Sequence, residues 1–67
     1  MIPGDLVKST KLISFYLTAD DVNRNVPNEG VAKNTLGIVV SPPDGTWVKW
    51  MANGRLGWSN HNYLEKV

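Results

Sequence analysis

Residues 46–59 read TWVKWMANGRLGWS, and the pair Asn53-Gly54 lies near the middle of this stretch. Short runs rich in aromatic and apolar residues flank the pair on both sides. A two-residue type I′ turn needs a positive φ at both central positions, and asparagine and glycine adopt that conformation most easily. The stretch therefore predicts an antiparallel β-hairpin that turns at Asn53-Gly54.

A turn of this length also sets the register of the hairpin, with Trp50 opposite Gly57 and Lys49 opposite Trp58. Because side chains alternate between the two faces of a strand, one face carries Val48, Trp50, Ala52, Gly57 and Ser59, and the other carries Trp47, Lys49, Met51, Leu56 and Trp58. We expect Gly57 to leave room for the indole of Trp50. Both faces are apolar, so the second must be covered by another part of the chain or be available to a ligand.

Short β-rich runs separated by turns continue upstream of the hairpin. Residues 36–41 form one such run, which ends at Pro42-Pro43-Asp44-Gly45, and residues 5–8 make an acceptable first strand. Residues 12–17 are apolar enough to form another strand or a buried loop. The pattern predicts an all-β fold with five short strands.

The segment from residue 18 to residue 30 has a different character. Thr18 is a candidate N-cap, with Asp21 three residues later in the position that a capping box gives to glutamate. Residues 26–30 contain proline and glycine and are expected to be loop. We expect residues 18–30 to be mobile or to form one helical turn, because they offer few apolar anchors.

Length and composition indicate one small globular domain over residues 1–67, with 42% hydrophobic and 19% charged residues. The net charge of +1 is too small to favour nonspecific binding to nucleic acid or anionic membranes. The absence of cysteine excludes disulfides and thiolate chemistry. No apolar run approaches the roughly 20 residues that span a bilayer, and no signal segment is visible, so we expect a cytoplasmic protein without membrane contact.

The second half of the chain resembles a Src homology 3 (SH3) domain. Members of that family end in a Trp-containing strand, a tight turn, a strand that begins Gly-aromatic, a 3₁₀ turn containing Asn-Tyr and a short last strand. The matching residues, in order, are Trp47, Asn53-Gly54-Arg55, Gly57-Trp58, Asn62-Tyr63-Leu64 and Glu65-Lys66-Val67. The resemblance implies a small five-stranded barrel with residues 9–34 as a long first loop and a 3₁₀ turn before the last strand.

Small bacterial and bacteriophage SH3-like proteins are the closest in pattern, because they share the Gly4-Asp5-Leu6 opening and the Gly37-Ile38-Val39-Val40 strand. The Ala-Leu-Tyr-Asp-Tyr signature of the eukaryotic signalling members is absent. Val48 replaces the second residue of their Trp-Trp pair, and Asn60 replaces the proline of their 3₁₀ turn.

By this resemblance, Trp47 takes the place of the peptide-contacting tryptophan, Trp58 and Tyr63 take two neighbouring groove positions, and Asn62 supplies a side chain that hydrogen-bonds the ligand. Rigid aromatic side chains are common at binding faces. A chain this small also needs large side chains for its core. We assign Trp50 to the core and leave open whether Trp47 and Trp58 are surface or core residues.

No catalytic, metal-binding or cofactor-binding arrangement is evident in the sequence. His61 is the only histidine and has no serine or carboxylate at a spacing that would orient it as a base. Asp20 and Asp21 are better suited to helix capping than to acid–base chemistry. The leading hypothesis is a non-enzymatic module that docks a protein or peptide segment on an aromatic face.

Two alternatives stay open. A nucleic-acid-contacting barrel would combine the aromatic face with basic residues, namely Lys8, Lys11, Lys33, Lys49 and Arg55, although these are dispersed along the chain and a mixed solvated surface is the simpler interpretation. A small structural subunit of a larger assembly, such as a phage particle or a photosynthetic complex, would use the second apolar face as a permanent interface. The sequence does not determine the oligomeric state.

Overall fold

A computed structural model describes all 67 residues of the chain. Its elements are β1 (Leu6–Ser9), β2 (Ile13–Phe15), α1 (Ala19–Asn23), β3 (Glu29–Val31), β4 (Leu36–Val39), β5 (Trp47–Ala52), β6 (Arg55–Asn60), a 3₁₀ turn (His61–Tyr63) and β7 (Leu64–Lys66). The predicted all-β class, the long connection after the first strand and the 3₁₀ turn before the last strand are confirmed. No helix in the molecule has the length and apolar character needed to cross a bilayer.

Five strands form one antiparallel sheet in the order β6-β5-β4-β1-β7, and β2 pairs with β3 in a separate two-stranded sheet. The edge strands β6 and β7 are not paired with each other. The expectation of a closed barrel is therefore wrong, because the five strands form an open sheet whose two edges are not hydrogen-bonded to each other. The β2–β3 pair packs beside β6 instead, through a bridge between Tyr16 and Trp58.

The hairpin of β5 and β6 has the predicted register, including the pairs Trp50–Gly57 and Lys49–Trp58. Asn53 and Gly54 have φ values of 54° and 75°, as a type I′ turn requires. On the inner face, Val48, Trp50, Ala52, Gly57 and Ser59 are buried, while the residues of the outer face are half-buried or exposed. Turn chemistry and side-chain alternation were therefore sufficient to predict this element.

Trp50 is fully buried in the core and packs edge-on against Phe15, with 6.1 Å between ring centroids. The expectation that Gly57 makes room for Trp50 is wrong. A Cβ on Gly57 would meet the ring of Phe15 at 2.5 Å, whereas a Cβ on Gly37 of β4 would clash with the Trp50 ring. Gly57, which pairs with Trp50 across the hairpin, therefore makes space for the ring of Phe15, a residue of strand β2 outside the hairpin.

Residues 12–17, which are predicted to form a strand or a buried loop, contain the strand β2. Its last residue is followed by Tyr16, whose backbone N–H donates to the Trp58 carbonyl at 2.9 Å and whose carbonyl accepts from the Trp58 N–H at 2.6 Å. The buried Ser59 hydroxyl donates to the Ser14 carbonyl at 2.9 Å. These bonds hold the β2–β3 hairpin against the edge of β6.

The base of the same hairpin is closed by Ser9, the last residue of β1. Its fully buried hydroxyl donates to the Ala32 carbonyl at 2.6 Å and accepts from the Thr35 N–H at 2.9 Å. One side chain therefore satisfies two backbone groups at the point where the connection returns to β4.

The predicted helical turn is α1, a helix of five residues. Thr18 Oγ1 accepts from the Asp21 N–H at 3.1 Å, which confirms the N-cap. Arg24 forms ion pairs with Asp20 and Asp21, both at 3.2 Å. The two adjacent carboxylates thus pair with the arginine that ends the helix, and the helix cap itself is made by Thr18.

Candidate functional site

Trp47 lies at the first position of β5, where a tight turn holds it at one end of the sheet. The Asp44 N–H donates to the Trp47 carbonyl at 2.7 Å, and the Trp47 N–H donates to the Asp44 carbonyl at 3.1 Å. Gly45, inside this turn, has a φ of 60°, which glycine adopts without strain. The indole of Trp47 is half-buried and points to the outer face of the hairpin.

A groove with a volume of about 240 Å³, which we call the lysine groove, lies beside Trp47. Tyr16 forms its floor and meets the Trp47 ring edge-on, with 5.3 Å between centroids and an interplanar angle of 80°. The Lys11 ammonium lies 3.9 Å from the centroid of the Tyr63 ring. The complete lining is Lys11, Leu12, Ile13, Ser14, Tyr16, Trp47, Asn60 and Tyr63.

The 3₁₀ turn that carries Tyr63 is tied to the start of the β1–β4 connection. The Thr10 N–H donates to the Tyr63 carbonyl at 2.9 Å, and the Thr10 hydroxyl donates to the same oxygen at 3.2 Å. At the other end of the turn, the His61 N–H donates to the Thr46 carbonyl at 3.0 Å. Tyr63 is therefore placed by bonds to two distant segments.

A second, smaller groove with a volume of about 90 Å³, which we call the tryptophan groove, is also lined by Trp47. Helix α1 forms one wall with Ala19, Val22 and Asn23, and Asp44, Trp47 and Trp58 form the other. Trp58 is half-buried, and the Lys49 ammonium of the neighbouring strand lies 5.9 Å from its ring centroid, within reach of a cation–π interaction. Trp47 is thus a wall common to both grooves.

The four residues that the sequence singled out differ in where they lie. Trp47, Trp58 and Tyr63 all line the grooves. Both tryptophans are half-buried, so each is neither a fully exposed surface residue nor a core residue. Asn62 is exposed and lines neither groove; its backbone N–H donates to Asn60 Oδ1 at 2.9 Å. The asparagine that lines the lysine groove is Asn60.

Tyr16 and Lys11 line the site but were not expected there. Tyr16 belongs to a run that reads only as apolar, and it reaches Trp47 because residues 13–16 pair beside β6. In the sequence, Lys11 is one of five basic residues dispersed along the chain, and nothing there relates it to Trp47. No local spacing relates either residue to Trp47, so the signal that could have found them is the long-range pairing itself.

The two grooves differ in charge. Lys11 stands at the lysine groove, while Asp44 stands at the tryptophan groove and forms no ion pair. Two other ion pairs lie away from the grooves, since Arg55 contacts Glu29 and Lys66 lies 3.6 Å from Asp5, whereas the Lys49 ammonium lies beside Trp58 without an acidic partner. Among the residues that line the two grooves, the charged ones are therefore Lys11 in the lysine groove and Asp44 in the tryptophan groove.

No group of three or more histidine, cysteine or acidic side chains is arranged to hold a metal ion. His61 is half-buried in the 3₁₀ turn, where its backbone rather than its imidazole makes the contact described above. Comparison of the chain with protein-family models, with curated proteins and with solved structures gives no match.

Proposed function

We propose that this protein is a non-enzymatic, SH3-like binding module that docks an extended segment of another protein across the two grooves beside Trp47. The observation that carries the proposal is the position of Trp47, half-exposed between two concave surfaces that also present Tyr63 and Trp58. Aromatic side chains held rigidly at a surface supply contact area at a low cost in conformational entropy.

The order of elements supports the SH3-like assignment. A Trp-containing strand, a type I′ turn, a strand with Gly57-Trp58, a 3₁₀ turn with Asn62-Tyr63 and a short last strand follow one another, as the resemblance requires. The β1–β4 connection folds back beside β6, so that α1 and Lys11 come to border the grooves.

The charges give the proposed ligand a polarity. An acidic side chain would complement Lys11 in the lysine groove, and a basic side chain would complement Asp44, which lines the tryptophan groove with Trp47 and Trp58. Apolar residues between them would cross the Trp47 ring. We therefore expect bound segments to carry charges of opposite sign on either side of an apolar centre.

Selection from a displayed library of random peptides, followed by titration of the selected peptides, tests the proposal. Trp47→Ala and Tyr63→Ala should lower the affinity of selected peptides at least tenfold, since each removes part of a groove wall. Leu36→Ala is the matched control, because Leu36 is an exposed apolar residue outside both grooves. Equal binding by the Trp47→Ala variant and the wild type would refute the proposal.

Stability measurements separate a binding role from a core role for the tryptophans. Trp47→Ala and Trp58→Ala should each lower the free energy of unfolding by less than about 1.5 kcal/mol, because a half-buried indole loses only part of its transfer energy. Trp50→Ala should cost about 3–5 kcal/mol, because it empties a closed core site. If urea unfolding showed the same loss of free energy for all three variants, Trp47 and Trp58 would be core residues and the proposed binding face would be refuted.

The nucleic-acid alternative differs in its dependence on salt. Each phosphate neutralised on duplex DNA contributes about −0.9 to the slope of log K against log salt, so a binder with several phosphate contacts would show a steep slope. A segment held by Trp47 and two single charges should show a shallow one.

A further inference from the structure

The Asn53-Gly54 pair has a chemical reactivity that is separate from its role in the turn. Asparagine is a thermolabile residue, because its carboxamide carbon is open to attack by the backbone nitrogen of the residue that follows. A side chain on the following residue hinders that attack, and glycine has none. Asn53 is followed by glycine, whereas the other six asparagines of the chain are each followed by a residue with a side chain.

Both reacting groups are accessible in the structure. Asn53 and Gly54 are exposed, and a Cβ added at Gly54 would meet no atom within 4 Å. No hydrogen bond involves the Asn53 carboxamide or the Gly54 N–H. Neither the carboxamide carbon nor the nitrogen is therefore shielded by another part of the chain, so their relative orientation decides whether they react.

The closed turn keeps these two groups apart. The φ values of 54° and 75° define a type I′ turn, whose first central residue has a ψ of about 30°. At that ψ the Asn53 Cβ and the Gly54 nitrogen lie nearly anti across the Cα–C bond, so no rotation about χ1 brings the carboxamide carbon to the nitrogen. Ring closure needs both atoms on the same side of that bond. The required rotation of ψ disrupts the turn between the paired residues Ala52 and Arg55.

We propose that Asn53 is a deamidation site that the closed turn protects and that reacts when the β5–β6 hairpin opens. In the open form the Gly54 nitrogen forms a bond to Asn53 Cγ and the Cγ–Nδ2 bond breaks. The proton of the Gly54 N–H passes through water to the leaving nitrogen, which departs as ammonia, and a succinimide remains. Water then opens the succinimide at either carbonyl. Attack at Cγ gives aspartate at position 53, and attack at the main-chain carbonyl gives isoaspartate, in which the backbone runs through Cβ and Cγ.

The two products differ in what they do to the hairpin. Aspartate has the same main chain as asparagine and also tolerates a positive φ, so the turn closes again. Isoaspartate adds a methylene group to the main chain of a two-residue turn, and turn type and loop length fix the register of a hairpin. This hairpin carries the fully buried Trp50 and positions Trp47 and Trp58. The isoaspartyl product therefore destabilises the fold, and each opening of the turn risks an irreversible change.

Deamidation rates of the folded and the unfolded chain test the proposal without any ligand. Trypsin cleaves after Lys49 and Arg55, so the peptide 50–55 contains Asn53. Reversed-phase separation with mass spectrometry then measures its asparaginyl, aspartyl and isoaspartyl forms. In mildly alkaline buffer, Asn53 should deamidate at least tenfold more slowly in the native chain than in concentrated guanidinium chloride, because only the open fraction reacts. Equal rates in the two states, or a faster rate in the native chain, would overturn the proposal.

The chain contains a matched control for the role of glycine. Asn34 also has a positive φ, of 67°, but Thr35 follows it. In guanidinium chloride Asn53 should therefore react at least tenfold faster than Asn34, and a rate at Asn34 equal to that at Asn53 would refute the assignment of the site. Asn53→Gly removes the carboxamide and keeps a residue pair suited to a type I′ turn. Its peptide 50–55 should show no deamidated form.

The consequence of the reaction is tested on the separated products. The isoaspartyl form of the intact chain should unfold at a lower urea concentration than the wild type, whereas Asn53→Asp should stay close to the wild type, because only the first has a longer main chain. An isoaspartyl form with the wild-type midpoint would overturn the proposed effect on the hairpin.

Discussion

Two glycines determine how the largest core side chains fit together. Gly37 and Gly57 do not adopt positive φ, so the requirement at both positions is space rather than backbone freedom. Gly37 admits the Trp50 ring and Gly57 admits the Phe15 ring. The two rings then meet edge-on at an interplanar angle of 69°. The aromatic centre of the core therefore depends on the absence of two β-carbons on neighbouring strands.

Replacing either glycine with alanine should destabilise the protein by about 2–3 kcal/mol, because the new Cβ meets a rigid ring and a backbone carbonyl in a closed core. Gly30→Ala is the control, since its Cβ would meet the end of the exposed Leu12 side chain at 3.3 Å and the Ile13 carbonyl at an ordinary van der Waals distance of 3.9 Å. That variant should stay within about 0.5 kcal/mol of the wild type in urea unfolding. If Gly37→Ala proved as mild as Gly30→Ala, the packing of Trp50 against β4 would be wrong.

Two buried serines connect the β2–β3 hairpin to the five-stranded sheet. The Ser9 hydroxyl hydrogen-bonds the Ala32 carbonyl and the Thr35 N–H at the base of the hairpin, and the Ser59 hydroxyl donates to the Ser14 carbonyl. Both side chains are fully buried, so the hydrogen bonds are made where water does not replace them. The hairpin that brings Tyr16 to the grooves is thus held by polar contacts as well as by the apolar side chains of Ile13, Phe15 and Val31.

Ser9→Ala should lower the free energy of unfolding by about 1–3 kcal/mol, because the Thr35 N–H loses its 2.9 Å acceptor and keeps only a 3.3 Å contact with the Ala32 carbonyl, which still accepts from the Thr35 hydroxyl. Ser59→Ala should cost about 1 kcal/mol, since only one carbonyl loses a donor. Ser14→Ala is the control, because the Ser14 side chain is exposed and its carbonyl, which the variant retains, makes the contact. Chemical denaturation of the three variants gives the comparison; a cost at Ser14 equal to that at Ser9 would contradict this account.

The β5–β6 hairpin should contain the slowest-exchanging amide protons of the chain. It is the longest ladder, with six residue pairs, and its inner face lies in the core. Residues 18–30 should exchange fastest, because the helix there has no buried residue and five residues are too few for a stable isolated helix. Hydrogen exchange followed by NMR measures both; similar protection in the two regions would show that the sheet is not the stable centre of the fold.

Over the whole molecule, the first and last strands are neighbours. Strand β1 pairs with β4 on one side and with β7 on the other, so that it joins distant parts of the chain. Near its start, the Asp5 carboxylate accepts from the Ile2 N–H at 3.0 Å and lies 3.6 Å from the Lys66 ammonium. The hydrogen bond from Ile2 and the charge of Lys66 hold the pKa of Asp5 below its usual value of 3.8.

Stability should fall in acid. The pKa of Asp21 is also lowered, first by its hydrogen bond with Thr18 and then by Arg24. A carboxyl whose pKa is lower when folded than when unfolded stabilises the fold above about pH 4, and this contribution disappears as the pH falls through the lowered value. Urea midpoints should therefore be constant from about pH 7 to 5 and decrease below about pH 4. Asp5→Asn and Asp21→Asn should each make that decrease shallower; an unchanged profile in the double variant would contradict the assignment.

Local sequence alone determined the all-β class, the β5–β6 hairpin with its register, and the helix cap at Thr18. These features depend on residues that are close in the chain. Positive φ at Asn53-Gly54, side-chain alternation and the spacing of Thr18 and Asp21 each act within a few residues, so the physical cause can be read directly.

The tertiary structure alone decided which ring Gly57 admits, that Tyr16 and Lys11 border the grooves while Asn62 does not, and that the outer apolar face is left uncovered. Each of these outcomes depends on where the β2–β3 hairpin packs. That position is set by contacts between residues far apart in sequence, such as the Tyr16–Trp58 bridge and the Ser59 hydrogen bond to Ser14. Because such contacts depend on shape complementarity between distant segments, no spacing or local pattern in a single chain reveals them.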